Sequence, residues 1–242
     1  MSLSKPAKTV TLQQTLRESW PTILVVSASS IFCITYALLQ KKFFSREATK
    51  VLTRFYFPLT WPVVYFTRKY LKKGSYWSTV DATVFLGAVP LEGCYFSHVR
   101  ELHRSGVRGV VSMQDEYAGP VEAYESLDMS YLRIPVVDHE EPTLSDLKEA
   151  IIFLNDHEVH GLGKVYVHCK GGHGRAAAVA FCWLMYKHNL EPEAAQKRLL
   201  ECRNVRKHLY KQKNVLRFYN QLKKGWKPQD GKGNFTRDKQ FK

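Results

Sequence analysis

At 242 residues the chain has room for one catalytic domain with an extension, and its five cysteines (Cys33, Cys94, Cys169, Cys182, Cys202) show no CxxC pair or disulfide-like spacing, which argues for a reducing compartment and against a disulfide-stapled secreted fold. The net charge of +14 is unevenly spread: residues 1–80 hold 12 Lys/Arg against 2 Asp/Glu, residues 81–186 hold 8 against 15, and residues 187–242 hold 16 against 5. Two basic flanks around an acidic centre suit a protein held near an anionic surface, whereas no recognition motif supports nucleic acid as the partner.

In chain order, residues 1–20 carry Lys5, Lys8 and Arg17 with several hydroxyl residues and no acid before Glu18, a pattern similar to a mitochondrial targeting segment. Thr22 to Leu39 then runs without a charge, preceded by Trp20-Pro21 and followed by Lys41, Lys42 and Arg46. At about 1.5 Å per residue this length just spans a thin bilayer core, so a transmembrane helix is expected over 21–40, with the more basic C-terminal side on the matrix or cytosolic face. Residues 41–75 read as a basic and aromatic linker at the bilayer interface. Within it, Phe55 to Phe66 is apolar, too short to span, and expected to be broken by Pro58 and Pro62.

A globular domain is expected over 76–226, ahead of a flexible basic tail at 227–242. Its predicted elements begin with a strand over Thr83–Val89, a helix from Tyr95 to Ser105 closed by Gly106, and strands over Val107–Met113 and Tyr131–Ile134. A polar loop, Asp138 to Thr143, leads into a helix ending near His157, with Thr143 as its cap and Asp146 at the capping-box position. After a turn at Gly161–Gly163 comes the buried strand Val165–Val167. Helices over 175–188, 191–203 and 211–224 follow, with Pro192 in the first turn of the second. Strands alternating with helices imply an α/β layer whose active loop lies at a strand's C-terminal end.

Chemistry concentrates after that last strand, in His168-Cys169-Lys170-Gly171-Gly172-His173-Gly174-Arg175. A strand, a glycine loop and a helix N-terminus together bind anions, because unpaired backbone N–H groups and the helix dipole face the bound charge. Gly171, Gly172 and Gly174 are expected to turn those N–H groups inward. The same positive potential favours the thiolate, the nucleophilic form of a cysteine, and Arg175 can hold two phosphate oxygens through its planar fork. Phosphoryl transfer to a thiolate further needs an acid for the departing oxygen and a base for the water that clears the intermediate. Asp138 is the candidate, with Glu140 and Glu141 as rivals on the same loop. His168 is read as holding the loop rather than acting as a base, Cys182 as core. His98, His103, His157, His160 and His188 show no metal-ligand spacing, and this chemistry needs no metal or cofactor.

Cys-x5-Arg after an apolar strand and His resembles the phosphate loop of the cysteine-dependent phosphatases. From about Phe55 onward the chain is similar to one branch of them, the mitochondrial protein-tyrosine-phosphatase-like phosphatidylglycerophosphate phosphatases of the dual-specificity type. The matching pieces are Phe55-Tyr-Phe-Pro58, Thr83 to Pro90, Gly106 to Met113, Asp115-Glu116-Tyr117, Val137-Asp138, Pro142 to Leu144 and Val165 to Lys170. The resemblance implies a dual-specificity phosphatase fold, a central mostly parallel sheet flanked by helices. It also implies Asp138 as general acid and a loop at Glu116 and Tyr117 beside the active site. Lys170, Gly171, Gly172, His173, Gly174 and His168 would then surround the substrate phosphate. The implied substrate is phosphatidylglycerophosphate, an anionic phospholipid on the cardiolipin route, at the inner mitochondrial membrane. Lys170 is also similar to the loop lysine of the lipid phosphatases related to tensin, which keeps phosphoinositides and phosphoproteins as alternatives. Another intracellular membrane, approached from the cytosol, is the alternative location, and no feature specifies an oligomeric state. Two features depart from the family: the apolar run at 22–39, and Ala176, where most cysteine phosphatases carry Ser or Thr. The latter suggests a phosphocysteine that forms normally but hydrolyses slowly, or, taken further, a membrane-anchored phosphate-binding module.

Overall fold

Side chains alternate between the two faces of an extended chain, so a strand such as Val165-Tyr166-Val167 can serve two cores at once. The computed structural model describes residues 30–39, 41, 43–70 and 75–228, and in it Val165 and Val167 join one apolar cluster while Tyr166 joins the other. The strands are β1 (Trp77–Thr79), β2 (Val84–Gly87), β5 (Val107–Ser112), β6 (Ser130–Arg133) and β7 (Lys164–His168), with a short separate ribbon formed by β3 (Glu92–Gly93) and β4 (Phe96–Ser97). The main sheet has the order β1-β2-β7-β5-β6. β2, β7, β5 and β6 pair in parallel and β1 closes one edge antiparallel, so the sheet is mixed and mostly parallel, as expected.

Two layers of helix cover it. α5 (Leu144–Val159), α6 (Arg175–Lys187), α7 (Pro192–Cys202) and α8 (Lys213–Lys223) supply the larger cluster; α3 (His98–Arg104) and α4 (Val121–Ser126) supply the smaller. α6 is the central helix: every side chain from Arg175 to Met185 is buried. Its alanines at 176, 177, 178 and 180 let the backbone lie close against its neighbours at interior packing density. α5 begins as the sequence indicates, with Thr143 Oγ1 accepting from Asp146 N at 3.2 Å and Asp146 Oδ2 accepting from Thr143 N at 2.8 Å. The expected helix from Tyr95 starts later, at His98, because Phe96 and Ser97 are taken up by the β3–β4 ribbon. β1 and α4 carry no legible signal of their own, being too short for a period to register.

The chain divides into two compact units, residues 1–45 and 46–242. In the first, residues 30–39 are helical (α1). The expected span at 22–39 therefore falls only partly on described residues, 22–29 lying outside them, and among the described residues no helix is long and apolar enough to cross a membrane. Residues 1–21 and the tail from 229 also lie outside the described residues.

Residues 41–75 depart from the linker expectation. α2 (Arg46–Lys69) is one helix with Pro58 and Pro62 inside it, and it belongs to the same compact unit as the sheet. An interior proline costs about 3 kcal/mol or more of helix stability; tertiary packing offsets that cost here. Tyr56, Phe57, Thr60 and Tyr65 are buried. Phe57 stacks on Tyr117 with ring centroids 5.2 Å apart, Trp61 meets Phe96 edge-on at 6.1 Å, and Tyr65 meets Phe96 and Tyr76 at 5.2 and 6.0 Å. The opposite side of α2 exposes Val51, Phe55, Leu59, Val63 and Phe66, a stripe at spacings of four and three.

Candidate active site

β7 delivers His168 to the edge of the sheet, residues 169–174 turn back, and α6 starts at Arg175. Of the three loop glycines only Gly172 adopts the left-handed conformation, with φ +65°. A Cβ there would also lie 2.4 Å from the carbonyl oxygen of Gly87 at the end of β2. Glycine is thus required at 172 for two independent reasons. Gly171 faces open space and Gly174 has φ −122°, so the expectation that all three glycines rely on positive φ holds for one.

The loop's carbonyls are in turn held by a set of donors from outside the loop. Arg203, buried at the end of α7, donates from Nε to Gly172 O (3.1 Å) and from Nη2 to Gly171 O (3.2 Å). Its other bonds reach Ser75 O, Ser78 Oγ and Tyr76 O. Arg206 N donates to His173 O at 3.0 Å, and Val89 N to Lys170 O at 3.3 Å. Arg203 was invisible in the sequence because it is one basic residue among many in the C-terminal third.

Cys169 is 4% exposed at the floor of this loop. Arg175 reaches across it and makes four hydrogen bonds: to Glu116 Oε2 and Oε1 at 2.7 Å each, to Val136 O at 2.7 Å and to Asp138 Oδ1 at 2.9 Å. Burial alone would discourage its charge, but Asp138 and Glu116 outweigh that and keep the guanidinium protonated. Asp138 is also held by Lys170 Nζ at 2.6 Å. Burial pushes its carboxyl up, while Arg175 and Lys170 pull harder and leave it well below the usual carboxylate range. The neighbouring His139 has φ +66°, a conformation uncommon outside glycine and concentrated at functional loops.

The rivals separate cleanly. Glu140 pairs with Arg46 at 3.3 Å, and among the described residues neither it nor Glu141 makes an ion pair with Lys170 or Arg175. Glu116 lies at the site, whereas Tyr117 turns away to stack on Phe57 of α2. His173 is exposed at the loop's crest. His168 is fully buried, and burial drives its imidazole down to about 3, so it is neutral. Its ring nitrogens make no hydrogen bond among the described residues. Its backbone ties the start of the loop to the sheet, His168 O accepting from Met113 N at 2.9 Å. Cys182 sits in the core, where burial raises its thiol and keeps it inert.

A buried thiol, a fixed guanidinium and a carboxylate on an opposing loop are thus brought to one glycine-rich loop. A family model described as the dual specificity phosphatase catalytic domain matches residues 96–224. The chain belongs to that family. It is accordingly a cysteine-dependent phosphatase. It is 35% identical over 124 residues to the phosphatidylglycerophosphate phosphatase PTPMT1 of Arabidopsis thaliana, a match covering 50% of this chain and 35% of that protein. It is 30% identical over 110 residues to human dual specificity protein phosphatase 26, covering 44% and 51%. Among solved structures, PTPMT1 superposes with a TM-score of 0.53 at 28% identity, covering 62% of this chain and 97% of that one. Its complex with PI(5)P gives 0.54 at 27% identity, covering 62% and 99%. The matched region spans from about a third to a half of the length of the curated relatives. β1 and α2 lie outside the family match.

Proposed function

We propose that this phosphatase removes the terminal phosphate of phosphatidylglycerophosphate to leave phosphatidylglycerol, at the mitochondrial inner membrane with its catalytic domain facing the matrix. The observation that carries this reading is the 35% identity to a plant protein of that activity. Two features support it. Lys170 and Arg175 place two cations at a loop suited to a polyanionic headgroup. The exposed apolar stripe of α2 is flanked by Arg46, Lys50 and Arg54, a composition that suits the interface of an anionic bilayer. An N-terminal anchor over 21–40 would serve the same end. A phosphoinositide is the second reading, favoured by the solved complex of PTPMT1 with PI(5)P.

In the proposed mechanism Cys169 Sγ attacks phosphorus in line with the ester oxygen. The loop N–H groups and Arg175 hold the three equatorial oxygens, where positioning and charge stabilisation supply most of the catalysis. Asp138, ionised while it pairs with Lys170 and Arg175, takes up a proton from solvent as the phosphate displaces it from those cations, and gives that proton to the departing alkoxide as the P–O bond breaks. It then takes a proton from the water that attacks the phosphocysteine, releasing inorganic phosphate and restoring the thiolate.

The substrate is tested by phosphate release from phosphatidylglycerophosphate in mixed micelles, wild type against Cys169→Ser. Activity well above that on phosphoinositides and phosphotyrosine peptides, lost in the variant, is expected. Preference for phosphoinositide moves the assignment to the second reading, and activity confined to peptides overturns both lipid readings.

Ala176 is fully buried beside the nucleophile's loop and offers no hydroxyl to steady the departing thiolate in the second step. With p-nitrophenyl phosphate, rapid mixing should show a burst of nitrophenol approaching one per enzyme. Ala176→Ser should raise the steady rate about tenfold, the worth of one hydrogen bond to a charged group, without changing the burst rate. Absence of a burst in the wild type would show that hydrolysis of the intermediate is not limiting.

A further inference from the structure

We infer that Arg54 of α2, outside the family-matched region, is a positioning residue for the phosphate-binding Arg175. The connection runs through the loop after β5. Arg54 grips Asp115 with two bonds, Nε to Oδ2 at 3.0 Å and Nη2 to Oδ1 at 3.1 Å, and Lys50 stands 3.9 Å from the same carboxylate. The next residue, Glu116, makes the paired bonds to Arg175. Its side chain is 1% exposed and that of Asp115 is 6% exposed. Adjacent carboxylates thus face opposite ways, one toward α2 and the other toward the catalytic loop.

Both cations that meet Asp115 within ion-pair distance come from α2. Phe57 of the same helix stacks on Tyr117, the residue after Glu116. From the other side Arg133 of β6 holds the loop backbone, donating to Asp115 O at 3.0 Å and Gln114 O at 3.4 Å. Without Arg54 a carboxylate hidden from water would keep, among the described residues, only the distant lysine. Unpaired buried charge is strongly unfavourable, so the loop is expected to shift until Asp115 is hydrated. That shift carries Glu116 with it through one peptide bond, and the fork of Arg175 loses the carboxylate that fixes its plane. Misplacement of a clamp by about 1 Å is enough to cost on the order of a hundredfold in rate. The inference rests on the phosphatase chemistry alone and is independent of which lipid is the substrate.

The full chain is assayed with p-nitrophenyl phosphate, which needs no membrane, at a temperature well below each variant's unfolding midpoint. Arg54→Ala is expected to lower kcat/KM by about 10- to 100-fold and to weaken inhibition by orthovanadate in proportion. In a Glu116→Gln background, where the route is already cut, the same substitution is expected to add less than about twofold. Wild-type kcat/KM and vanadate affinity in Arg54→Ala would overturn the inference. So would an equal loss in the two backgrounds, which would mean that Arg54 acts on the fold and not through Glu116. If the alanine variant does not fold, Arg54→Gln, which is shorter and uncharged but keeps the aliphatic stem and an N–H donor, is read by the same two measurements.

Discussion

Arg175→Lys should give a folded protein whose kcat/KM on aryl phosphates is about a thousandfold below wild type. Lysine keeps the charge but offers a point donor where the guanidinium offers a rigid fork. The four bonds that Arg175 makes fix its plane before substrate arrives, so the donors meet the phosphate oxygens without reorganisation. Removing a single pre-set donor of this kind costs about 10²–10³ in rate, and here the paired geometry is lost together with one donor. Arg175→Ala should go further and destabilise the fold by about 3–5 kcal/mol, because the almost wholly buried Glu116 side chain is left without its partner. Adding Glu116→Gln should recover part of that stability and none of the activity. Steady-state kinetics and thermal unfolding of the three variants check this; a lysine variant within tenfold of wild type would remove Arg175 from the role proposed for it.

Asp138→Asn should separate rate from affinity. As the acid for the departing oxygen, Asp138 is expected to contribute about 10²–10⁴ to kcat for alkyl phosphates and much less for nitrophenyl phosphate, whose leaving group needs little protonation. Yet in the free enzyme the same carboxylate occupies Lys170 and Arg175 at 2.6 and 2.9 Å, competing with the incoming phosphate for both cations. Its removal should therefore tighten inhibition by inorganic phosphate while kcat falls. The stability effect has a definite sign. A carboxyl held below its ordinary value of 3.8 contributes stability that is present at neutral pH and is lost as the pH falls below that value. The asparagine variant should lack this portion of the acid-induced loss and be less stable at pH 7. Thermal midpoints between pH 3 and 7, with phosphate inhibition at pH 7, test both halves. Weaker phosphate binding in the variant would show that Asp138 assists the anion rather than competing with it.

These two residues show how unevenly the site could be read in advance. Cys169 and Arg175 are legible because a strand, a loop and a helix in sequence confine six positions to one turn, so spacing alone brings the ends together. Thr143 and Asp146 are legible for the same reason, since a capping box closes within four residues. The choice among Asp138, Glu140 and Glu141 turns on which of three nearby carboxylates faces the loop, and family resemblance favoured Asp138, the one that meets Lys170 and Arg175. Arg203 and Arg54 left no signal. Their roles depend on carbonyls and a carboxylate that lie 31 and 61 residues away in the chain.

α2 marks the boundary most clearly. Local rules break a helix at Pro58 and Pro62, because each removes a hydrogen bond and crowds the preceding turn. The rings of Phe57, Trp61 and Tyr65 packed against Tyr117, Phe96 and Tyr76 override them. By itself the sequence determined what short-range geometry controls: the alternation of strand faces, the helix caps, and the thiol-to-guanidinium loop proposed to carry the chemistry. Only the tertiary structure decided which distant charges meet. Those are the buried arginine beneath the loop, the acid that occupies it, and the helix that braces it through Asp115. Ion pairs form wherever burial brings opposite charges within reach, and linear spacing carries no record of that.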